Sequence, residues 1–141
     1  GTMNDNGKKP YVVDIEDLTI ANENFRTASW TGDFLQMTLM SIEVGSEIGL
    51  EVHDDTDQFL RIEQGEARVV MGKNQDNLDF EAEAGDDFAI FIPSGYWHNV
   101  INTGDEPLKV YSIYAPAHHP AGTVHKTKAE ADEAELAEHG E

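Results

Sequence analysis

From Phe34 to Tyr114 the chain keeps to one pattern: short runs of alternating apolar and polar side chains, broken by Gly, Pro, Asp or Asn at intervals of about eight to twelve residues. Successive side chains of a strand point to opposite faces, so this rhythm specifies half-buried β-strands and is incompatible with helices. Phe34 to Val44 is β-rich and free of Gly and Pro, and predicts a long strand. Further strands are expected at Ile48 to His53, Gln58 to Glu63, Glu66 to Met71, Leu78 to Glu83, Asp87 to Ile92, Trp97 to Asn102 and Leu108 to Tyr114. Turns separate them at Gly45-Ser46, Asp54 to Asp57, Gln64-Gly65, Gly72 to Asn77, Ala84-Gly85, Pro93 to Gly95 and Thr103 to Pro107. Many short strands without an intervening helix predict an all-β sandwich or barrel.

The flanks differ. Residues 1–10 are polar and are expected to form a loose tail, with Gly1-Thr2-Met3 reading as an expression remnant. Tyr11 to Ile15 is expected to be a short lead strand. One domain is expected over residues 11–118, followed by an arm and helix over 119–141. In that last part Thr127-Lys-Ala-Glu130 has the form of a capping box and predicts a helix to about Glu138, with little apolar stripe and therefore exposed.

Charge and composition exclude several functions. Nine Lys and Arg against 28 Asp and Glu give a net charge of −19, which repels phosphate backbones and anionic lipid, so neither nucleic acid nor a membrane is expected as a partner. A salt-rich habitat is one source of such acidity. Without cysteine there is neither disulfide nor thiolate metal site. The longest apolar run, Phe88 to Ile92, has five residues, too few for a membrane helix, and a cytoplasmic location is the expectation.

Metal-ligand chemistry concentrates at two places. Glu51 and His53, two apart on an expected strand, point the same way; Gln58 opens the next strand, and His98 follows the rigid Pro93-Ser-Gly95 turn. Four oxygen and nitrogen donors from neighbouring strand ends suit one hard or borderline divalent ion. Asp55 and Asp57 are read as solvated turn residues, and His118, His119 and His125 as belonging to a surface arm rather than bending over the mouth. By parity Leu60 and Ile62 face inward with Gln58, Val100 and Asn102 with His98, and Phe34, Gln36, Thr38, Met40 and Ile42 share one face. Gln36, Tyr96, Trp97 and Tyr114 are expected near the mouth, mainly as packing.

The spacings resemble the two motifs of the cupins, small β-barrel proteins. The family's first motif is Gly, five residues, His-x-His, three or four residues, Glu, six residues, Gly; Gly45, Glu51-x-His53, Gln58 and Gly65 fit every interval. Its second is Gly, five residues, Pro-x-Gly, two residues, His, three residues, Asn; Pro93-x-Gly95, His98 and Asn102 match, while Gly85 is separated from Pro93 by seven residues. Glu51 replaces the family's first His and Gln58 its Glu, an exchange that conserves formal charge and leaves Gln58 as a weaker, labile donor.

The resemblance implies a cupin β-barrel or jelly roll with a short C-terminal helix, holding one divalent Mn, Fe, Ni, Co or Zn ion on Glu51, His53, Gln58 and His98. It also implies isomerase, epimerase, dioxygenase or decarboxylase chemistry on a small oxygenated molecule, with Glu51 as ligand and catalytic base. The alternative is a non-catalytic cupin that binds a small molecule or the metal. Arg26, Arg61 and Arg68 are scattered and form no phosphate cluster. Ile48, Leu50, Val52 and Phe59 point by parity away from the pocket and need a cover. A second copy of the chain, giving a homodimer, is expected to supply it; the competing cover is residues 11–30 with Phe25 and Trp30.

Overall fold

In the computed structural model, which describes residues 4–139 (side chains to residue 136), two antiparallel sheets face each other. The elements are α1 (Ile15–Ala21), β1 (Arg26–Thr31), β2 (Gln36–Ile42), β3 (Asp57–Gln64), β4 (Ala67–Gly72), β5 (Phe80–Ala84), β6 (Ala89–Ile92), β7 (Trp97–Asn102), β8 (Leu108–Ala115), β9 (Val124–His125) and α2 (Lys128–His139). One sheet runs β6-β3-β8-β2-β1-β9 and the other β5-β4-β7. The jelly-roll architecture with a C-terminal helix is as expected.

Register determines what the barrel interior contains. Across the large sheet Gln58 pairs with Tyr114 and Tyr114 with Gln36; one rung deeper stand Leu60, Ser112, Thr38 and Ala28; deeper still come Ile62, Val110, Met40 and Arg26. Facing pairs share a side of the sheet, so all of these point inward. Ile42, Leu60, Ile62, Val100, Leu108 and Val110 are fully buried and form the floor of the core with Phe25, Met40, Ile48, Val69 and Ile90. Asn102 is buried as parity predicts, yet its work is structural: its amide donates to the Ile42 and Glu106 carbonyls and its oxygen accepts from Gly104, holding the turn between β7 and β8.

Several segments depart from expectation. Tyr11 to Asp14 forms no strand; Asp14 caps α1 by accepting from the Asp17 amide, and Glu16 and Asp17 complement the positive end of the helix. Residues 48–53 are not a regular strand: Glu47 bridges Ile101 and Glu51 bridges His98, and between them Gly49, at φ 111°, donates its amide to the Asn99 side chain. That kink turns Ile48 into the core, where parity had sent it outward, while Leu50 stays exposed.

The N-terminal stretch is not loose from Asn4 onward, although residues 1–3, with the expected expression remnant, lie outside the described residues. Asp5 is buried and accepts from the Gly7, Thr31 and Gly122 amides and the Thr31 hydroxyl. Burial opposes its charge, but these bonds hold the carboxyl below its ordinary range. One carboxylate thus ties the N-terminus, β1 and the C-terminal arm together.

Half of the capping box is present: the Glu130 amide donates to Thr127 Oγ1, while Glu130 Oε1 accepts from the Lys126 amide, one residue before the cap. Ala131 from this otherwise polar helix is nevertheless buried against the core.

Gly45, Gly65 and Gly95 of the two motifs all have positive φ (79°, 102° and 83°). The position separated from Pro93 by five residues is Asp87, and it adopts φ 72°. Asp therefore takes the left-handed conformation that a glycine serves more cheaply, which resolves the displaced Gly85.

Candidate metal centre

Backbone pairing sets the centre before any side chain is considered. The Glu51 amide donates to the His98 carbonyl at 3.0 Å and the His98 amide to the Glu51 carbonyl at 2.9 Å, so the two residues stand directly opposite. The turn after β6 is clamped at both shoulders: the Gly95 amide donates to the His53 carbonyl, and the Ser94 amide to Asp57 Oδ1. Asp57 is thus a turn-holder rather than a ligand.

On this frame Glu51, His53 and His98 bring one ligand-type atom each within 4.8 Å of one another. Glu51 Oε1 lies 3.4 Å from His53 Nε2 and 3.7 Å from His98 Nε2, and the two rings are 5.2 Å apart. His98 Nδ1 lies 3.0 Å from the Tyr96 carbonyl, to which it can only donate. With Nδ1 donating to that carbonyl, Nε2 is the ring nitrogen left for a metal ion. Burial alone would push the Glu51 carboxyl up; the adjoining imidazoles and the charge of Arg26 instead hold it well below the usual carboxylate range.

Gln58 is buried on the inner face of β3, paired across the sheet with Tyr114. Its amide nitrogen donates to Ser112 Oγ at 2.8 Å, leaving Oε1 without a partner. His53 Nδ1 and Nε2 and His98 Nε2 are likewise buried and make no hydrogen bond of good geometry. A buried polar atom left unpaired is costly, so a cluster of them marks a place where a ligand belongs. Two imidazoles, a carboxylate and an amide oxygen fit a divalent transition metal.

Two features escaped the sequence reading. The first is the arm: His118 and His119 fold over the centre, His118 keeping an exposed outer side and His119 half-buried. The His118 ring lies 3.9 Å from that of His53 and stacks on Tyr114, and His119 meets Tyr114 edge-on. Burial pushes the His118 imidazole down to about 4 and His119 down to about 2, so both are neutral at ordinary pH. Gln36 holds the arm, its Oε1 accepting from the His118 and His119 amides and its Nε2 donating to the His119 carbonyl. Tyr114, fully buried and pushed up by burial to about 12, stays a neutral hydroxyl beside Ser112 and Thr38. Tyr96 is partly buried against the core, and its carbonyl, not its ring, serves the centre.

The second is Arg26. It is buried inside, not scattered on the surface, and His125 on β9 lies 3.2 Å from its Nη1.

Residues 38–114 match the family model for the cupin domain. The chain belongs to the cupin family. It is 59% identical over 133 residues to the protein YrkC of Bacillus subtilis, an alignment covering 94% of this chain and 72% of that one. It is 38% identical over 123 residues to the protein L612 of Acanthamoeba polyphaga mimivirus, covering 86% and 75% of the two chains. Among solved structures, the crystal structure of BH2720 from Bacillus halodurans superimposes with a TM-score of 0.92 at 62% identity, over 92% of this cupin and 98% of that chain. Bacillus subtilis oxalate decarboxylase, a protein with Mn(II) centres, shares the fold at a TM-score of 0.57 and 24% identity, over 62% of this chain and 23% of that one. KdgF from Halomonas sp. does so at 0.58 and 15%, over 66% and 80%. Among the described residues no helix is long and apolar enough to cross a membrane.

Proposed function

We propose that this cupin holds one divalent transition metal on Glu51, His53 and His98, with Gln58 Oε1 as a fourth, labile donor, and acts as an enzyme on a small oxygenated molecule. The observation that carries the reading is the set of buried, unpartnered ligand atoms around one carboxylate, with Nε2 the ring nitrogen of His98 left for a metal ion. The fold it shares with a protein of known Mn(II) centres agrees with a metal of the Mn, Fe, Ni, Co or Zn group, and the donor set does not distinguish among them.

Such an ion supplies Lewis acidity toward a carbonyl or hydroxyl oxygen. The chain's own residues supply the rest. Glu51 is the carboxylate proposed to take a proton from a bound molecule, its Oε1 lying 3.4 Å from His53 Nε2 and 3.7 Å from His98 Nε2. Tyr114 and Ser112 offer neutral hydroxyls beside the centre, and the His118–His119 arm lies over it. Ligation by an uncharged Gln58 favours a position that a substrate oxygen can take. Two copies of the chain are proposed to pair through the exposed apolar outer surface, which includes Leu50 and Phe91.

The test is elemental analysis of purified protein. We expect close to one metal per chain in the wild type and a loss of at least tenfold in His53→Ala and in His98→Ala, with the β-sheet circular dichroism retained. Full occupancy in either variant refutes the ligand set. Metal uptake with no turnover across a panel of carbonyl, hydroxy-acid and catechol compounds would identify a binding protein instead.

A further inference from the structure

Arg26 is the unexplained charge of the interior. Its side chain is 5% exposed, and its pairing with Met40 across β1 and β2 places it on the same inner face as Thr38 and Gln36. An arginine is always charged, and a buried charge needs a partner. Among the described residues no carboxylate lies within 4.0 Å of it, whereas Arg61 pairs with Asp87 and Arg68 with Glu81. Arg26 Nη1 faces His125, a neutral acceptor, and the guanidinium carbon sits 5.3 Å from the Phe25 ring centre. Nε makes no hydrogen bond. Nearby, His119 Nε2 and Thr38 Oγ1 are also buried without a good partner. Register puts Arg26 on the inner face two rungs below Gln36 and Tyr114, and a run of rings from His125 through His119 and His118 to His53 links the guanidinium to the candidate metal centre.

We propose that Arg26, with Thr38 and His119 beside it, receives the carboxylate of a small organic acid whose second oxygen is directed at the centre formed by Glu51, His53 and His98. The planar guanidinium fork suits a carboxylate, and the anion supplies the counter-charge that the protein leaves out. A phosphate monoester is disfavoured by the same chemistry. It would bring close to two negative charges to a single buried cation, with the Glu51 carboxylate at the linked centre and a surface of net charge −19 outside. Lys109, the other buried cation, is engaged elsewhere, donating to the Asn22 carbonyl at the end of α1. The second contact, though not the first, rests on the metal reading given above.

Calorimetric titration of metal-free and Mn(II)-loaded protein with glycolate, its neutral isostere glycolamide and inorganic phosphate tests this. The metal-free wild type is expected to bind glycolate at least tenfold more tightly than glycolamide or phosphate, and Mn(II) to increase glycolate affinity further. Arg26→Gln is expected to abolish the preference and to melt no lower than the wild type, because it removes an unpaired buried charge. Arg26→Lys, which keeps the charge and loses the fork, should retain only part of it.

Equal binding of glycolate and glycolamide, no binding of either, a preference for phosphate, or an undiminished preference in Arg26→Gln would each overturn the proposal. If Arg26→Gln fails to fold, the wild-type comparison and Arg26→Lys decide. Metal-free protein that shows the Arg26-dependent preference but takes up no Mn(II) retains the anion site and refutes the metal centre; uptake without the preference does the reverse.

Discussion

The two ends of the barrel interior are built from the same strands and are equally dry, yet they are chemically opposite. Along β2 the inner face passes from Gln36 and Thr38 to Met40 and Ile42; along β3 from Gln58 to Leu60 and Ile62; along β8 from Tyr114 and Ser112 to Val110 and Leu108. All ten are buried. At the floor the apolar side chains are satisfied by contact, and Arg26 is the exception. At the mouth the unpartnered atoms of Thr38, His53, Gln58, His98 and His119 gather. Burial therefore does not explain the polar end, since apolar residues would fill it more stably. The difference shows where the fold carries buried polar atoms without partners, and the arm pinned by Gln36 lies over that end.

This contrast can be broken from either side. The largest effect belongs to the floor: Ile62→Ala should cost about 2–5 kcal/mol in chemical denaturation while the folded fraction keeps its metal. A loss under about 1 kcal/mol would mean that the floor is not the stabilising end. Next comes the ligand. If the mouth binds a metal, the preferred ion at a hundred times its Kd should stabilise the wild type by about 2.7 kcal/mol, and His98→Ala by nothing measurable. Equal stabilisation of both would place the ion elsewhere.

Smaller, and located at the closure, is Gln36→Ala. It removes three hydrogen bonds to the arm and should cost about 1–3 kcal/mol, with faster hydrogen exchange at the His118 and His119 amides. Unchanged exchange there would show that the arm is held by ring packing alone. The smallest effect is at the outer turn, where Asp87→Ala should be about 1 kcal/mol less stable than Asp87→Gly, because only glycine takes φ 72° freely. Equal melting of the two variants would remove the conformational reading of that motif position.

Legibility in the sequence followed the range of the interactions concerned. Period-two alternation is local, and it located every strand from β2 to β8 within two residues, along with the inward parity of Gln58, Leu60, His98 and Val100. Glu51 and His53 were linked by that parity too, but the structure joins them by another route: an irregular segment bridged to β7 on one side and bonded to the Gly95 turn on the other. α1 carried a readable signal in Asp14-Ile-Glu-Asp17, a cap with acidic residues behind it, which the apolar Tyr11-Val-Val stretch masked.

The arm carried none. Its position over the mouth depends on Gln36, more than eighty residues away, and on Asp5 at the far end of the chain. Arg26 was hidden for the same reason: β1 is buried on both faces once the N-terminal stretch and the arm cover it, so alternation no longer distinguishes inside from outside.

The account depends most on the unpaired ligand atoms at the mouth being the seat of a metal ion. Anomalous diffraction from a crystal of the metal-loaded protein, recorded at the absorption edge of the ion that elemental analysis finds, locates that ion directly. The account predicts a single strong peak about 2.0–2.3 Å from a Glu51 carboxylate oxygen and from one ring nitrogen each of His53 and His98. A fully loaded crystal with its peak elsewhere, or with none between those three side chains, would contradict it.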